Sequence, residues 1–163
     1  MRYAKIRKMD IANGPGVRVS IFFQGCAFHC KNCFNPETWD FDGGEEFNDS
    51  VIDEILSLCS PDHITGLSML GGEPMHPNNI EGTTKLAKKF KEKYPDKNIW
   101  AWSGFLFDTL KEKEIIQYID VLVDGQFEDE KRDPKLKWRG SQNQRIIDVK
   151  KSLKRNQVIL FSE

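Results

Sequence analysis

Three of the four cysteines of this chain stand together in the stretch Gly25-Cys26-Ala27-Phe28-His29-Cys30-Lys31-Asn32-Cys33. They follow an apolar run, Val17-Arg18-Val19-Ser20-Ile21-Phe22-Phe23-Gln24, that reads as a buried strand. Thiols crowded into one short loop suit a metal better than a disulfide. The spacing C-x3-C-x2-C is not that of a zinc ribbon, which uses two C-x2-C pairs. Three thiolates can hold three irons of a 4Fe–4S cube, whereas a cluster that only carries electrons takes four. The remaining iron would then be open to a ligand. Other readings stand beside this one: Cys59 closing a four-cysteine site, His29 as a fourth ligand, or three thiols that are simply buried. His29 adjoins Cys30 and is hard to aim at the same iron, so it reads as a loop residue or an outer donor.

With 163 residues, one domain spanning 1–163 is expected, and 39% hydrophobic residues with 11 phenylalanines supply a core. Lys and Arg number 24 against 25 Asp and Glu, a net charge of −1, so no overall field points to nucleic acid or an anionic membrane. The first eight residues lack the apolar centre of a signal peptide, and no apolar run reaches the length of a membrane span. A cytoplasmic setting is expected, where clustered thiols read as metal-binding or catalytic.

Along the chain, residues 3–9 suggest a short edge strand, and Asn13-Gly14-Pro15-Gly16 a turn. Strand 17–24 leads into the cysteine loop. Asn48, Asp49 or Ser50 caps a helix whose stripe is Val51, Ile52, Ile55, Leu56 and Cys59, which makes Cys59 a core residue. Residues 66–70 form a strand, and Pro77 and Asn78 open a helix that runs to about Tyr94, where Pro95 stops it. Its lysines, 85, 88, 89, 91 and 93, read as solvated surface or as a basic face for an acidic electron donor. Strand 98–102, helix 106–117 and strand 120–124 follow. The polar stretch 126–144 is long enough for a functional loop. Residues 146–149 and 157–161 are further strand candidates.

Strand–helix alternation predicts a parallel sheet with right-handed crossovers. A closed barrel needs about 250 residues, so an open half-barrel or a doubly wound sheet fits this length. The cysteines, Gly71-Gly72-Glu73, Ser103-Gly104 and Asp124-Gly125 each follow the carboxyl end of an expected strand, the edge where such sheets bind ligands. Two glycines let backbone approach a ligand. Glu73 offers a carboxylate to an amino group, and Ser103 a hydroxyl. Asp124 either binds a ribose hydroxyl or closes the strand-end turn.

The cysteine spacing together with Gly71-Gly72-Glu73-Pro74 resembles the radical S-adenosylmethionine superfamily. Asn13 to Arg18, Phe34 to Trp39, Asp120 to Phe127 and Trp138 to Arg145 resemble, within it, the activating enzymes of anaerobic ribonucleoside-triphosphate reductase. The resemblance implies an open partial (β/α) barrel with a mostly parallel sheet. It implies a 4Fe–4S cluster on Cys26, Cys30 and Cys33, with S-adenosylmethionine on the open iron and Gly71, Gly72 and Glu73 at its amino end. An electron from flavodoxin or a similar donor would cleave the sulfonium, and the 5′-deoxyadenosyl radical would take a hydrogen from a glycine of the reductase large subunit. Many superfamily members carry an aromatic residue before the third cysteine, where this chain has Asn32. The backbone of Asn32 and Cys33 and the ring of Phe34 are the candidates for the adenine. A partial barrel leaves a side slot suited to a protein loop, with 126–144 as its rim and Trp138 and Arg139 as docking anchors. The rival functions are activation of a different glycyl-radical enzyme and a non-catalytic iron–sulfur or zinc module.

Overall fold

The computed structural model describes residues 1–162; Glu163, the last residue of the expected domain, lies outside them. Its strands are β1 (Arg2–Asp10), β2 (Val17–Phe23), β3 (Glu45–Glu46), β4 (Ile64–Gly71), β5 (Asn98–Ser103), β6 (Val121–Asp124) and β7 (Arg145–Asp148). They form one sheet in the order β3-β1-β2-β4-β5-β6-β7. The centre, β2-β4-β5-β6, is parallel. Both margins are antiparallel: β1 against β2 and β3, and β7 against β6. The sheet is therefore mixed; β3 covers only Arg2 and Tyr3 of β1, so past Tyr3 this strand is the edge that residues 3–9 suggested.

Strand alternation decides what each face meets. The register Ile21↔Met69↔Ala101↔Leu122 aligns one inward row across the four parallel strands. These residues share one core with helices α1 (Asp49–Leu58), α2 (Ile80–Lys93), α3 (Phe107–Leu110) and α4 (Val149–Arg155). The opposite face carries Arg18, Phe22, Leu70, Trp100 and Trp102. There Trp100, Val121 and Val123 form a small second cluster with Trp138 and Phe161. Because both faces are covered, the central strands read as nearly continuous apolar runs.

Helix α1 starts where expected: the Asn48 side chain accepts the Val51 N–H at 3.1 Å, and Ile52, Ile55 and Leu56 face the core. Helix α2 begins at Ile80, later than Pro77, because Asn79 turns its amide into the site and away from capping. Residues 106–117 do not form one helix. After α3 the chain tightens and continues as a 3-10 turn over Glu114–Tyr118. Leu110 and Ile115 are both buried, yet five positions apart they cannot share the face of a straight helix. Residues 157–161 make only a bridge, Ile147↔Leu160, flanked by bonds from Asp148 N–H to Ile159 C=O and from Phe161 N–H to Ile146 C=O.

The lysine face of α2 is partly committed. Lys85 pairs with Asp49 at 2.5 Å and Lys91 with Asp120 at 2.6 Å. Among the described residues no helix is long and apolar enough to cross a membrane.

Candidate functional site

At the carboxyl ends of β2, β4, β5 and β6 lies a cavity of about 530 Å³. Cys26, Cys30, Cys33, Phe34, Gly71, Gly72, Glu73 and Ser103 all line it, so most of the residues singled out in the sequence meet in one place. Two do not. Asp124 is fully buried behind the strand end, where its Oδ2 accepts the Phe107 N–H at 2.8 Å and both its oxygens take the Arg145 guanidinium, at 3.0 and 2.6 Å. It closes the turn and is not among the lining residues, which goes against the ribose reading. The Asn32 side chain also points elsewhere: its amide donates to Asp129 at 3.0 Å, tying the cysteine loop to the 126–144 segment.

Backbone bonds stitch the cysteine loop to the strand ends. Gly25 N–H donates to Thr38 C=O, Glu73 N–H to Gly25 C=O at 2.8 Å, and Gly72 N–H to Phe23 C=O at 2.9 Å. Both glycines are required here. Gly71 has φ +107°, and a Cβ on Gly72 would stand 2.5 Å from the Gly25 carbonyl oxygen. His29 stacks flat on Trp39 at 4.5 Å, which makes it a packed loop residue. Cys59 is buried in the main core, on the helix side of the sheet, and burial pushes its thiol up to about 12.

Burial raises the thiols of Cys26 and Cys30, and neighbouring Cys33 raises Cys30 further. Backbone N–H groups work against this, from Phe28 and His29 at Cys26 and from Phe127 at Cys30. Asn35 N–H points at the Cys33 sulfur, 3.4 Å away. Sulfurs in one half-buried cavity with amide donors aimed at them fit a thiolate-held cluster, whose charge such donors spread. Among the described residues no three His, Cys, Asp or Glu side chains converge on a single metal ion. In a cube each thiolate takes its own iron.

Glu73 is only 1% exposed. Burial raises its carboxyl to about 7, opposed by the Gly104 N–H at 2.7 Å, the Met75 N–H at 2.8 Å and the Ser103 hydroxyl at 2.8 Å. Ser103 thus donates to Glu73 and not into the cavity, and it accepts the Phe105 N–H. The carboxylate clamps the ends of β4 and β5 together beside the cysteine loop. Sequence reasoning missed its partner Asn79, buried at the start of α2, whose amide bonds the Glu73 carbonyl at 3.0 Å and the Gln24 carbonyl at 3.2 Å. It also missed Phe28, whose ring lies on Gly104 and packs edge-on to Phe105. An asparagine at a helix start was a legible signal; nothing in the cysteine spacing marked Phe28.

Trp138 and Arg139 are half-buried and line the cavity. The Trp138 ring packs on Trp100 at 5.0 Å and its carbonyl accepts the Trp102 indole N–H at 2.7 Å. Arg139 bonds the carbonyls of Gln142 and Gln144. They tie the 126–144 loop to the sheet while still lining the cavity. Phe34 sits at the rim, exposed, against Phe127 at 5.0 Å and under the Arg132 guanidinium at 5.3 Å.

An α/β sheet with three cysteines on one loop at its carboxyl edge defines a single-cluster iron–sulfur domain, and the family model described as 4Fe-4S single cluster domain matches residues 12–147. Curated relatives narrow the class. The protein of Enterobacteria phage T4 is 40% identical over 90% of this chain and 93% of its own length. That of Vibrio cholerae is 41% identical over 90% and 97%, and that of Escherichia coli 38% identical over 88% and 96%. Each is named anaerobic ribonucleoside-triphosphate reductase-activating protein. The chain belongs to this family of activating proteins.

Proposed function

We propose that this protein is a radical S-adenosylmethionine oxidoreductase that installs a glycyl radical on anaerobic ribonucleoside-triphosphate reductase. In this reading it is a cytoplasmic enzyme of one domain, with reduced flavodoxin or a similar carrier as its electron donor. The observation that carries the reading is the convergence of three cysteines and Gly71-Gly72-Glu73 on one cavity at the carboxyl edge of a parallel sheet. Helices on one face of the sheet and the cavity on the other support an open partial (β/α) barrel.

Cys26, Cys30 and Cys33 are the ligands for a 4Fe–4S cluster. With S-adenosylmethionine bound, the cluster supplies one-electron cleavage chemistry that ends in removal of a hydrogen from a glycine. This chain's residues bind and orient. Gly71 and Gly72 present backbone to the amino and carboxylate end, and Glu73 balances the amino charge. Ser103 and Asn79 fix Glu73 in place. The Phe34 ring and the backbone of Asn32 and Cys33 flank the adenine, while Asp124 acts outside the cavity by securing Arg145 and the start of α3.

Anaerobic purification followed by iron, sulfide and zinc analysis tests the metal assignment, and cleavage of S-adenosylmethionine after reduction tests the activity. Cys26→Ala, Cys30→Ala and Cys33→Ala should each lose iron and cleavage, while Cys59→Ala keeps both. A colourless protein carrying zinc, or equal iron loss in Cys59→Ala, would overturn the assignment.

A further inference from the structure

We infer that the free edge of β1, residues 5–9, receives an extended acidic segment of the reductase as an added strand, beside the cavity mouth. The inference rests on the activase reading and names how its protein substrate is held. One side of β1 pairs with β2, while β3 reaches only Arg2 and Tyr3 on the other. Among the described residues no strand lies against that outer side of residues 5–9. An open strand edge is a template for a further strand. The opposite margin of the sheet is already used, since the Leu160 segment bridges β7.

The side chains set the chemistry of the incoming segment. Lys5, Arg7 and Lys8 are exposed along this edge. The Lys5 ammonium and the Arg7 guanidinium stand 4.7 and 5.0 Å from the Phe22 ring, and both Arg7 and Phe22 line the cavity. A cationic edge that runs into the cavity favours an acidic partner. Met9 and Ile11 continue the edge, 69% and 77% exposed, the two most exposed large apolar side chains among the described residues. Ala12 and Asn13, which come next, line the cavity again. Charged residues on an edge strand also guard against aggregation. That role accounts for the lysines, but not for two bare apolar side chains in a line leading to the site. A segment laid along this edge would bring its neighbouring residues to the cavity mouth.

The test uses the full chain loaded with its cluster under anaerobic conditions, mixed with the large subunit of anaerobic ribonucleoside-triphosphate reductase. Amide hydrogen exchange at residues 5–9 should slow at least tenfold in the complex. The double substitution Lys5→Glu with Lys8→Glu should raise the Kd for the subunit at least tenfold at unchanged iron content. A complex that co-elutes with exchange at residues 5–9 unaltered, or a double variant of unchanged affinity, overturns the inference and leaves the activase reading standing. If no complex forms, the activase reading falls and the inference with it. Protection that grows with the concentration of this protein alone would give the edge to a second copy and overturn the inference.

Discussion

Glu73 shows how one side chain can serve both fold and site. Its carboxyl titrates near 7 because burial disfavours the charge, while three donors hold it in place. The unfolded value is the ordinary 4.5, so between about 4.5 and 7 the folded state holds the extra proton. That contribution to stability is therefore full below the unfolded value and is lost as pH rises through the folded one. A cationic amino group needs the ionised form. Affinity for S-adenosylmethionine should thus strengthen as pH rises through 7, and in Glu73→Gln this rise should be absent and the affinity lower. The loss expected is about 1.5–3 kcal/mol, one charged hydrogen bond. Titration calorimetry across pH with an intact cluster measures both quantities; parallel pH profiles in the two proteins would confine Glu73 to a structural role. The sequence marked Glu73 correctly as a strand-end carboxylate. It could not show that the Ser103 hydroxyl is spent on Glu73, because that depends on how β4 and β5 align across the sheet.

Among the elements, those with a single clear signal were legible. Asn48, Asp49 and Ser50 before the Val51, Ile52, Ile55, Leu56 stripe marked the start of α1 within three residues, and Asn48 is the cap. Short apolar runs marked β2, β4, β5 and β6. Residues 106–117 failed because Leu110 and Ile115 are both apolar, and only the packed core shows that a straight helix cannot bury both. Trp138 and Arg139 tie their loop to the sheet and also line the cavity, and an aromatic or arginine side chain on a polar loop serves equally to anchor the loop or to bind a partner, so the sequence alone could not separate the two roles. The Asp124–Arg145 pair decides how β6, β7 and α3 meet. Asp124→Asn should lower stability by about 2 kcal/mol, the range for a charge-assisted bond. It should leave the affinity for S-adenosylmethionine unchanged. Chemical denaturation and calorimetry read the two effects, and a large loss of affinity at unchanged stability would return Asp124 to the ribose.

In the whole molecule, one sheet separates structure from chemistry. Its helix-covered face holds the main core and Cys59, and its other face and carboxyl edge hold the cavity. The apolar runs foretold the central strands, and the residues at the four strand ends foretold the site. The antiparallel margins were not legible, since strand direction follows from how connections cross the sheet and leaves no mark in local composition. The central claim is that this site acts on a protein. Electron paramagnetic resonance of the reductase large subunit, after anaerobic mixing with the reduced, cluster-loaded protein and S-adenosylmethionine, tests that claim most directly. A glycine-centred doublet on the subunit, split by its one remaining α-hydrogen and formed together with 5′-deoxyadenosine and methionine, is the predicted result. Cleavage of S-adenosylmethionine with no such signal would contradict it.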